Sequence, residues 1–450
     1  MTTMNDRMEL VPGTQDVFGQ LPRMKGYTHL VVCLSHPESY SRDATVLAFQ
    51  AAASRITAAL PWLGGAVLHS EVGPGCTGIF TVARCARTRN ILHIQDRSEE
   101  CSSYEDIIAS RAPSDLLEGH LLSAQTSLPD SYTESETEPA PVLTLTMSWI
   151  KNGLILDCAA QHNILDMGGI DQFFRLLATE LQAKCCGHTV IDTNNRDRLQ
   201  MFSLLEPNEF RCGHSDMRCP SSLITIRRSP PPGSLPAFYH FRFDKASILQ
   251  LAGLANTPSV DDALSAFIWK QLSIARLRLG QKPGTVTGFS RAVDCRQALN
   301  IPKEYMGVAV VKTFSTMTLE EIGRASLGSI AVNLRRDVRR IRDRSFLRSL
   351  ATLIAEEPDK STINYVPELN PDTWLNASSW AGVGAYSLNF GPLGKPGIVR
   401  RPKSKPVLGL LYFLPKSEQG DIDVLLCLKE SEIQGLRGDP QWSQYAGYIG

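Results

Sequence analysis

His162-Asn163-Ile164-Leu165-Asp166-Met167-Gly168-Gly169 sets an imidazole four residues ahead of a carboxylate and closes on two glycines. An imidazole with a pKa near neutrality can take the proton of an alcohol as that alcohol attacks a carbonyl, a role worth ~10²–10⁴ in rate. The carboxylate could accept the ring N–H and fix its tautomer, as in a catalytic triad. It could equally face away and pin the turn, and spacing alone leaves both readings open. A lone histidine beside an apolar strand is more often a satisfied core residue, so its place on the chain decides. Other constellations are weaker. Cys212, His214 and Cys219, and Cys185-Cys186 with His188, lack the paired short spacers of zinc sites, and no metal is expected. No phosphate loop or dinucleotide fingerprint stands between a strand and a helix.

The elements around His162 favour chemistry. Val142–Trp149 alternates with period two, Leu154–Ala160 is a second β-rich run, and Lys151-Asn152-Gly153 reads as the hairpin turn. The second strand runs straight into Gln161-His162. Beyond Gly168-Gly169, the residues Ile170, Phe173, Phe174, Leu177, Ala178 and Leu181 fall on one face of a helix. His162 therefore sits at a strand end, where a rigid element can hold a side chain in a cleft. Upstream, Tyr27–Leu34 reads as a strand and Asp43–Leu60 as a helix stopped by Pro61, while Ser123–Pro141 reads as an exposed loop. Downstream, Phe238–Phe243 reads as a strand. A helix follows from Ser259, with Asp262 in the place of a capping-box glutamate. A long arginine-rich helix spans about Leu319–Leu350, and Leu408–Leu414 with Ile422–Leu428 reads as a strand pair.

Length bounds the rest. At 450 residues the chain exceeds one ordinary core, and two domains are expected: 1–204, and 237–450, joined by a proline-rich crossover at 205–236 that includes Pro230-Pro231-Pro232-Gly233. Lysine plus arginine (46) balances aspartate plus glutamate (46), so a chain-wide field for nucleic acid or an anionic membrane is missing. Asp337 and Asp343 interrupt the arginines, which reads as a solvated helix face. There is no run of eighteen apolar residues and no leader-like N-terminus. The eleven cysteines are unpatterned, so a cytoplasmic protein with reduced thiols is expected.

Five ordered blocks then carry a resemblance. His162-x-x-x-Asp166-x-Gly168-Gly169 is similar to the HxxxDG signature of the BAHD acyltransferases and of their relatives, the chloramphenicol acetyltransferases and peptide-synthetase condensation domains. Asp261–Trp269 resembles the family helix of the second domain, and Ser290–Arg296 continuing to Pro302 and Tyr305-Met306-Gly307 resembles "VDxR…P…Y.GN". Ser378-Ser379-Trp380 followed by Asn389–Pro396 resembles the "DFGWGKP" block, and Val424–Leu428 matches the last strand. The likeness spans Leu10 to Tyr445 and is nearest to the fungal branch of trichothecene O-acetyltransferases.

The resemblance implies an α/β fold of two similar chloramphenicol-acetyltransferase-like domains, mixed sheets with flanking helices and an active-site channel at their interface. It implies an acyl-CoA-dependent O-acyltransferase. Acetyl-CoA would be the co-substrate, the hydroxyl of a fungal secondary metabolite the acceptor, and the enzyme a monomer that binds neither nucleic acid nor membrane. His162 is similar to the family base. Asp166 and Gly168 support the site, with Arg296 as the partner of Asp166. Ser290, Arg291, Ser379, Trp380 and Lys395 are expected near the coenzyme, with Arg400 and Arg401 as further candidates for its charged end. Asn389 stands where the family has Asp, so a catalytic part for that position is put in doubt. Val308 replaces a family Asn, and Met167 is inserted before the glycines. An amine-acylating or condensation-type enzyme, and a non-catalytic binding protein of this fold, are the alternatives.

Overall fold

The period-two run and its partner form the strands Leu143–Ile150 and Gly153–Gln161, antiparallel with Ile150 opposite Gly153. The turn is Lys151-Asn152, and Gly153, expected as part of the turn, is the first residue of the second strand. Asn152 takes φ of 61°, a left-handed value that asparagine tolerates. The computed structural model describes residues 9–84, 90–128, 140–182, 198, 201–218, 235–363 and 372–450. Cys185, Cys186, His188, Cys219 and Pro230–Gly233 lie outside the described residues, as does most of the loop expected from Ser123.

The hairpin is the centre of a five-stranded sheet ordered Ile398–Arg400, Tyr27–Ser35, Gly153–Gln161, Leu143–Ile150, Leu92–Asp96. Every residue of the hairpin strands is buried because both faces are covered. On one side the helices Arg42–Ala59 and Met167–Gln182 deliver Phe49, Ile56, Ile170, Phe173, Phe174 and Leu177. Ile107, Leu117 and Leu122 pack the other side against Val31, Cys33 and Ile155. A small four-stranded sheet, with Ala66–Gly73 and Cys76–Arg84 at its centre, flanks this domain.

The second domain is built on a seven-stranded sheet ordered Val310–Thr318, Val286–Asp294, Trp374–Ser379, Leu410–Phe413, Ile422–Lys429, Pro236–Phe243, Gly447–Tyr448. Val286–Asp294, Trp374–Ser379 and Leu410–Phe413 pair in parallel and the rest antiparallel, so the sheet is mixed. The helix Val260–Arg278 buries Leu264, Phe267, Ile268 and Leu272 against it. A third cluster, including Phe18, Leu21, Val293, Tyr305, Leu347 and Leu350, joins the N-terminal segment to the second domain.

Three expectations change. The arginine-rich helix is three helices, Leu319–Arg324, Leu327–Ile341 and Arg344–Glu356. Ser326 and Asp343 interrupt it as N-caps that accept from Ser329 N and Phe346 N. Several of its arginines are paired, Arg335 with Asp262, Arg340 with Asp216 and Arg348 with Glu209. The described part of the crossover, residues 205–218, lies on the helix Arg344–Glu356 through Leu205 N to Thr352 Oγ1 (2.8 Å), Cys212 N to Ser349 Oγ (3.0 Å) and an Arg211–Glu356 ion pair. Lastly, Ile398–Arg400 comes from the second half of the chain yet pairs antiparallel with Tyr27–Ser35 in the first domain's sheet. A cut at 205–236 therefore leaves the first sheet one strand short.

Candidate active site

The strand Gly153–Gln161 ends on Gln161, and His162 turns the chain out of the sheet with its N–H donated to Gly26 O at 2.8 Å. Asn163 anchors the turn from below, bonding Leu21 O at 3.0 Å and Gly19 O, while its own N–H goes to Gln161 Oε1 at 2.7 Å. The half-buried His162 ring lines a cavity of about 1030 Å³ bounded by both domains. Gly168, Arg296, Lys312, Asn376, Ser378 and Trp380 are on its walls. Nδ1 of His162 is buried without a hydrogen-bond partner, which leaves Nε2 as the nitrogen open to a substrate. Burial lowers the imidazole pKa, as does the positive charge of Lys312. The Asp166 charge and the nearby carbonyls of His162 and Leu165 act the other way without cancelling that loss, and neither carbonyl makes a bond of normal geometry to Nδ1.

Asp166 faces away from the ring. Its carboxylate takes a bidentate pair from Arg296, Nη2 to Oδ1 at 2.7 Å and Nη1 to Oδ2 at 3.0 Å, plus the N–H groups of Gly169 and Ala309 at 3.0 Å each. Burial alone would raise the Asp166 pKa, but the Arg296 guanidinium and these hydrogen bonds hold it below the usual carboxylate range. Arg296 is further fixed by Tyr305 O at 3.1 Å and Gly307 O at 2.8 Å. The pair thus ties the turn of the first domain to the strand end of the second. Of the two readings the spacing left open, the structure has the carboxylate pinning the turn.

The glycines follow from this approach. A Cβ on Gly168 would stand 3.0 Å from the Arg296 guanidinium, and one on Gly169 would overlap the Met306 carbonyl oxygen. Alanine inside a helix normally gains about 1 kcal/mol over glycine. Gly169→Ala is expected to reverse that sign and cost ~1–3 kcal/mol, since the obstacle is backbone and cannot swing aside. A chemical-denaturation midpoint equal to or above wild type would refute the close-approach account.

Of the remaining expected residues, Ser379 and Trp380 line the cavity, as does the neighbouring Ser378. Trp380 Nε1 donates to Ser378 Oγ at 3.1 Å and its ring rests on Tyr412, centroids 5.0 Å apart. Arg401 also lines the cavity. Five residues are not brought there. Asn389 is exposed, its main-chain carbonyl accepting from Gln182, so a catalytic part for it is corrected. The following Phe390 packs against Phe174 in the first domain's core, which is what that block does here. Ser290 is buried in its strand away from the cavity lining, and Arg291 is spent on Asp261 and Asp262. Lys395 pairs with Glu418 on the surface. Arg400 is buried against Asp423 and takes no part in the lining.

Sequence reading missed two sets. Asp16 and Arg198 form a second buried acid–arginine pair at 3.3 Å on the other side of the turn. Arg198 Nη1 donates to Ile164 O at 2.6 Å, and Asp16 accepts from Gly19 N and Val308 N. Burial pushes the Asp16 carboxyl up to about 6 despite Arg198. No local pattern marks either residue. Lys312 and Asn376 face the cavity, Nζ to Oδ1 at 2.8 Å. A single lysine within Val310-Val311-Lys312-Thr313 was a usable signal, because a charge inside an apolar strand needs a destination.

Comparison with known proteins agrees with this geometry. A family model described as the trichothecene 3-O-acetyltransferase-like N-terminal domain matches residues 27–181, and one described as the Transferase family matches residues 115–442. The chain is 38% identical over 466 residues to the O-acyltransferase pigD of Monascus ruber, covering 98% of this chain and 100% of that one. It is 36% identical to the O-acetyltransferase epaC of Aspergillus niger, covering 97% and 96% respectively. The solved structure of F. graminearum TRI101 complexed with coenzyme A and deoxynivalenol superposes with a TM-score of 0.87 at 29% identity, covering 98% of this chain and 100% of that one.

Proposed function

The chain belongs to the Transferase family, and from that membership we propose that it is an acyl-CoA-dependent O-acyltransferase acting on the hydroxyl of a fungal secondary metabolite. Acetyl-CoA is the donor we favour, in keeping with the O-acetyltransferase relatives. The observation that carries the reading is His162, half-buried on the wall of an interdomain cavity with one ring nitrogen turned inward and the other left for a substrate.

The residues supply each proton movement. Nε2 takes the acceptor's O–H proton as its oxygen bonds to the thioester carbon. The carbonyl oxygen becomes an oxyanion, and Ser378 supports it: Trp380 Nε1–H occupies the Ser378 oxygen as a donor and leaves the serine O–H free to donate. Collapse breaks the C–S bond, and the imidazolium returns the proton to the departing thiolate. Both substrates held in one cavity supply proximity, so no acyl-enzyme is required. Asp166, Gly168 and Arg296 keep the turn in place. No helix among the described residues is long and apolar enough to cross a membrane. With seven free cysteines among those residues, a cytoplasmic monomer is our reading.

The base must be neutral to act. Since burial lowers the His162 pKa, activity is lost only as pH falls through a value below 6.5. The acid limb of kcat/KM is expected to bend below 6.5, and a bend above it would refute the assignment. The function itself is tested by thiol release from acetyl-CoA with a panel of alcohols and matched amines. Ester products support O-acylation, amide products alone favour the amine-acylating alternative, and no product with any acceptor favours a binding protein.

A further inference from the structure

The turn that carries His162 is tied at three points, and two of the ties lead to one buried pair. Asn163 Nδ2 donates to Gly19 O and to Leu21 O (3.0 Å), and Asp16 Oδ1 fixes the loop that offers those carbonyls by accepting from Gly19 N at 2.8 Å. Arg198 Nη1 is shared between Ile164 O at 2.6 Å and Asp16 Oδ2 at 3.3 Å. The third tie is Asp166 with Arg296. The two carboxylates also divide one backbone step of the second domain: Val308 N goes to Asp16 Oδ2 at 3.1 Å and Ala309 N to Asp166 Oδ2 at 3.0 Å. The Tyr305 ring lies 5.9 Å from the Arg198 guanidinium carbon and 5.6 Å from that of Arg296, and Arg198 also sits over the Trp62 ring at 4.2 Å. The side chains of Asp16 and Arg198 are both 0% exposed. Such a pair adds little net stability by itself, so its effect falls on what it holds. The groups facing Asp16 are Arg198, which favours its charge, and Asp166 and the Tyr305 phenol, which do not; burial outweighs Arg198 and pushes the carboxyl up to about 6. Protonation turns one carboxylate oxygen from acceptor into donor, at the expense of Gly19 N or of Val308 N and Arg198.

We propose that Asp16 and Arg198 are positioning residues for the general base, which act through the carbonyls of Gly19, Leu21 and Ile164 on the turn from which the His162 ring reaches the cavity. The proposal rests on the acylation reading above and adds a second acid–arginine pair to the machinery of that site. Full turnover then requires His162 to be neutral and Asp16 to be ionised.

Thiol release from acetyl-CoA, with the best alcohol acceptor, is followed across pH in the wild type, D16N, R198M and R198K. The acid limb of the wild-type kcat is expected to reach a slope of about two, because two groups must both be unprotonated. D16N, which imitates the protonated acid, should lower kcat at about pH 8 by about tenfold or more, with KM within about threefold, as a misplaced base does. Its acid limb should return to a slope of about one. R198M should lose about as much, and R198K, which keeps the charge and a donor for Ile164 O, should recover most of the loss. A D16N kcat within about threefold of wild type, a loss confined to KM, an acid slope equal in D16N and wild type, or an R198K no better than R198M overturns the proposal. If D16N does not fold, the wild-type slope and the comparison of the two arginine variants still decide. A wild type that acylates no alcohol sinks the acylation reading separately. The Cε1–H proton resonance of His162, assigned by its loss in H162A, then decides for the pair. A titration step at about 6 that D16N lacks supports positioning, and identical titrations in the two proteins overturn it.

Discussion

His162→Ala lowers kcat by ~10²–10⁴ for any hydroxylated acceptor the wild type acylates, with little change in stability. The magnitude is that of one positioned base, because the cavity, Ser378 and the bound donor all remain. The small stability effect follows from the bonding: Nδ1 has no hydrogen-bond partner to lose, and the turn is held by His162 N to Gly26 O, by Asn163 and by Asp166. Single-turnover thiol release and a thermal melt on the same sample check both halves. Turnover within threefold of wild type would remove the base from the mechanism.

Arg296→Met has the largest expected effect on the fold, a loss of ~3–5 kcal/mol, since it leaves the Asp166 carboxylate buried with only two N–H donors. Asp166 is 1% exposed and its partner 6%, so solvent screening offers little relief. The turn that carries His162 would also loosen, and kcat should fall with stability. The decisive measurement is a double-mutant cycle. Asp166→Asn with Arg296→Met removes both charges and should cost clearly less than the sum of the single losses. Additive losses in the denaturant midpoint would mean that the two residues do not act as a pair.

What could be read from sequence, and what could not, follows the range of each interaction. Period-two and 3.6-residue patterns located the hairpin and the helix after His162 because those signals are local. The His162–Asp166 spacing, by contrast, admitted two geometries. Only the tertiary approach of Arg296, 130 residues on, chooses between them. The cap residues Ser326 and Asp343 were legible as helix starts, yet the density of arginine masked them. Asp16, Arg198 and Asn376 had no local signature, for their roles depend on partners far along the chain. The resemblance placed Asn389 near the chemistry. The exposed position of its side chain shows that a shared block of residues fixes a loop's packing without fixing a role for each member.

The strand Ile398–Arg400 fastens the molecule like a clasp. Its backbone covers the outer edge of Tyr27–Ser35 at Val31–Cys33, where an open row of donors and acceptors could otherwise template another chain. During synthesis that edge emerges hundreds of residues before its cover. The nascent first half must therefore wait, in need of protection, until residues 398–400 have left the ribosome.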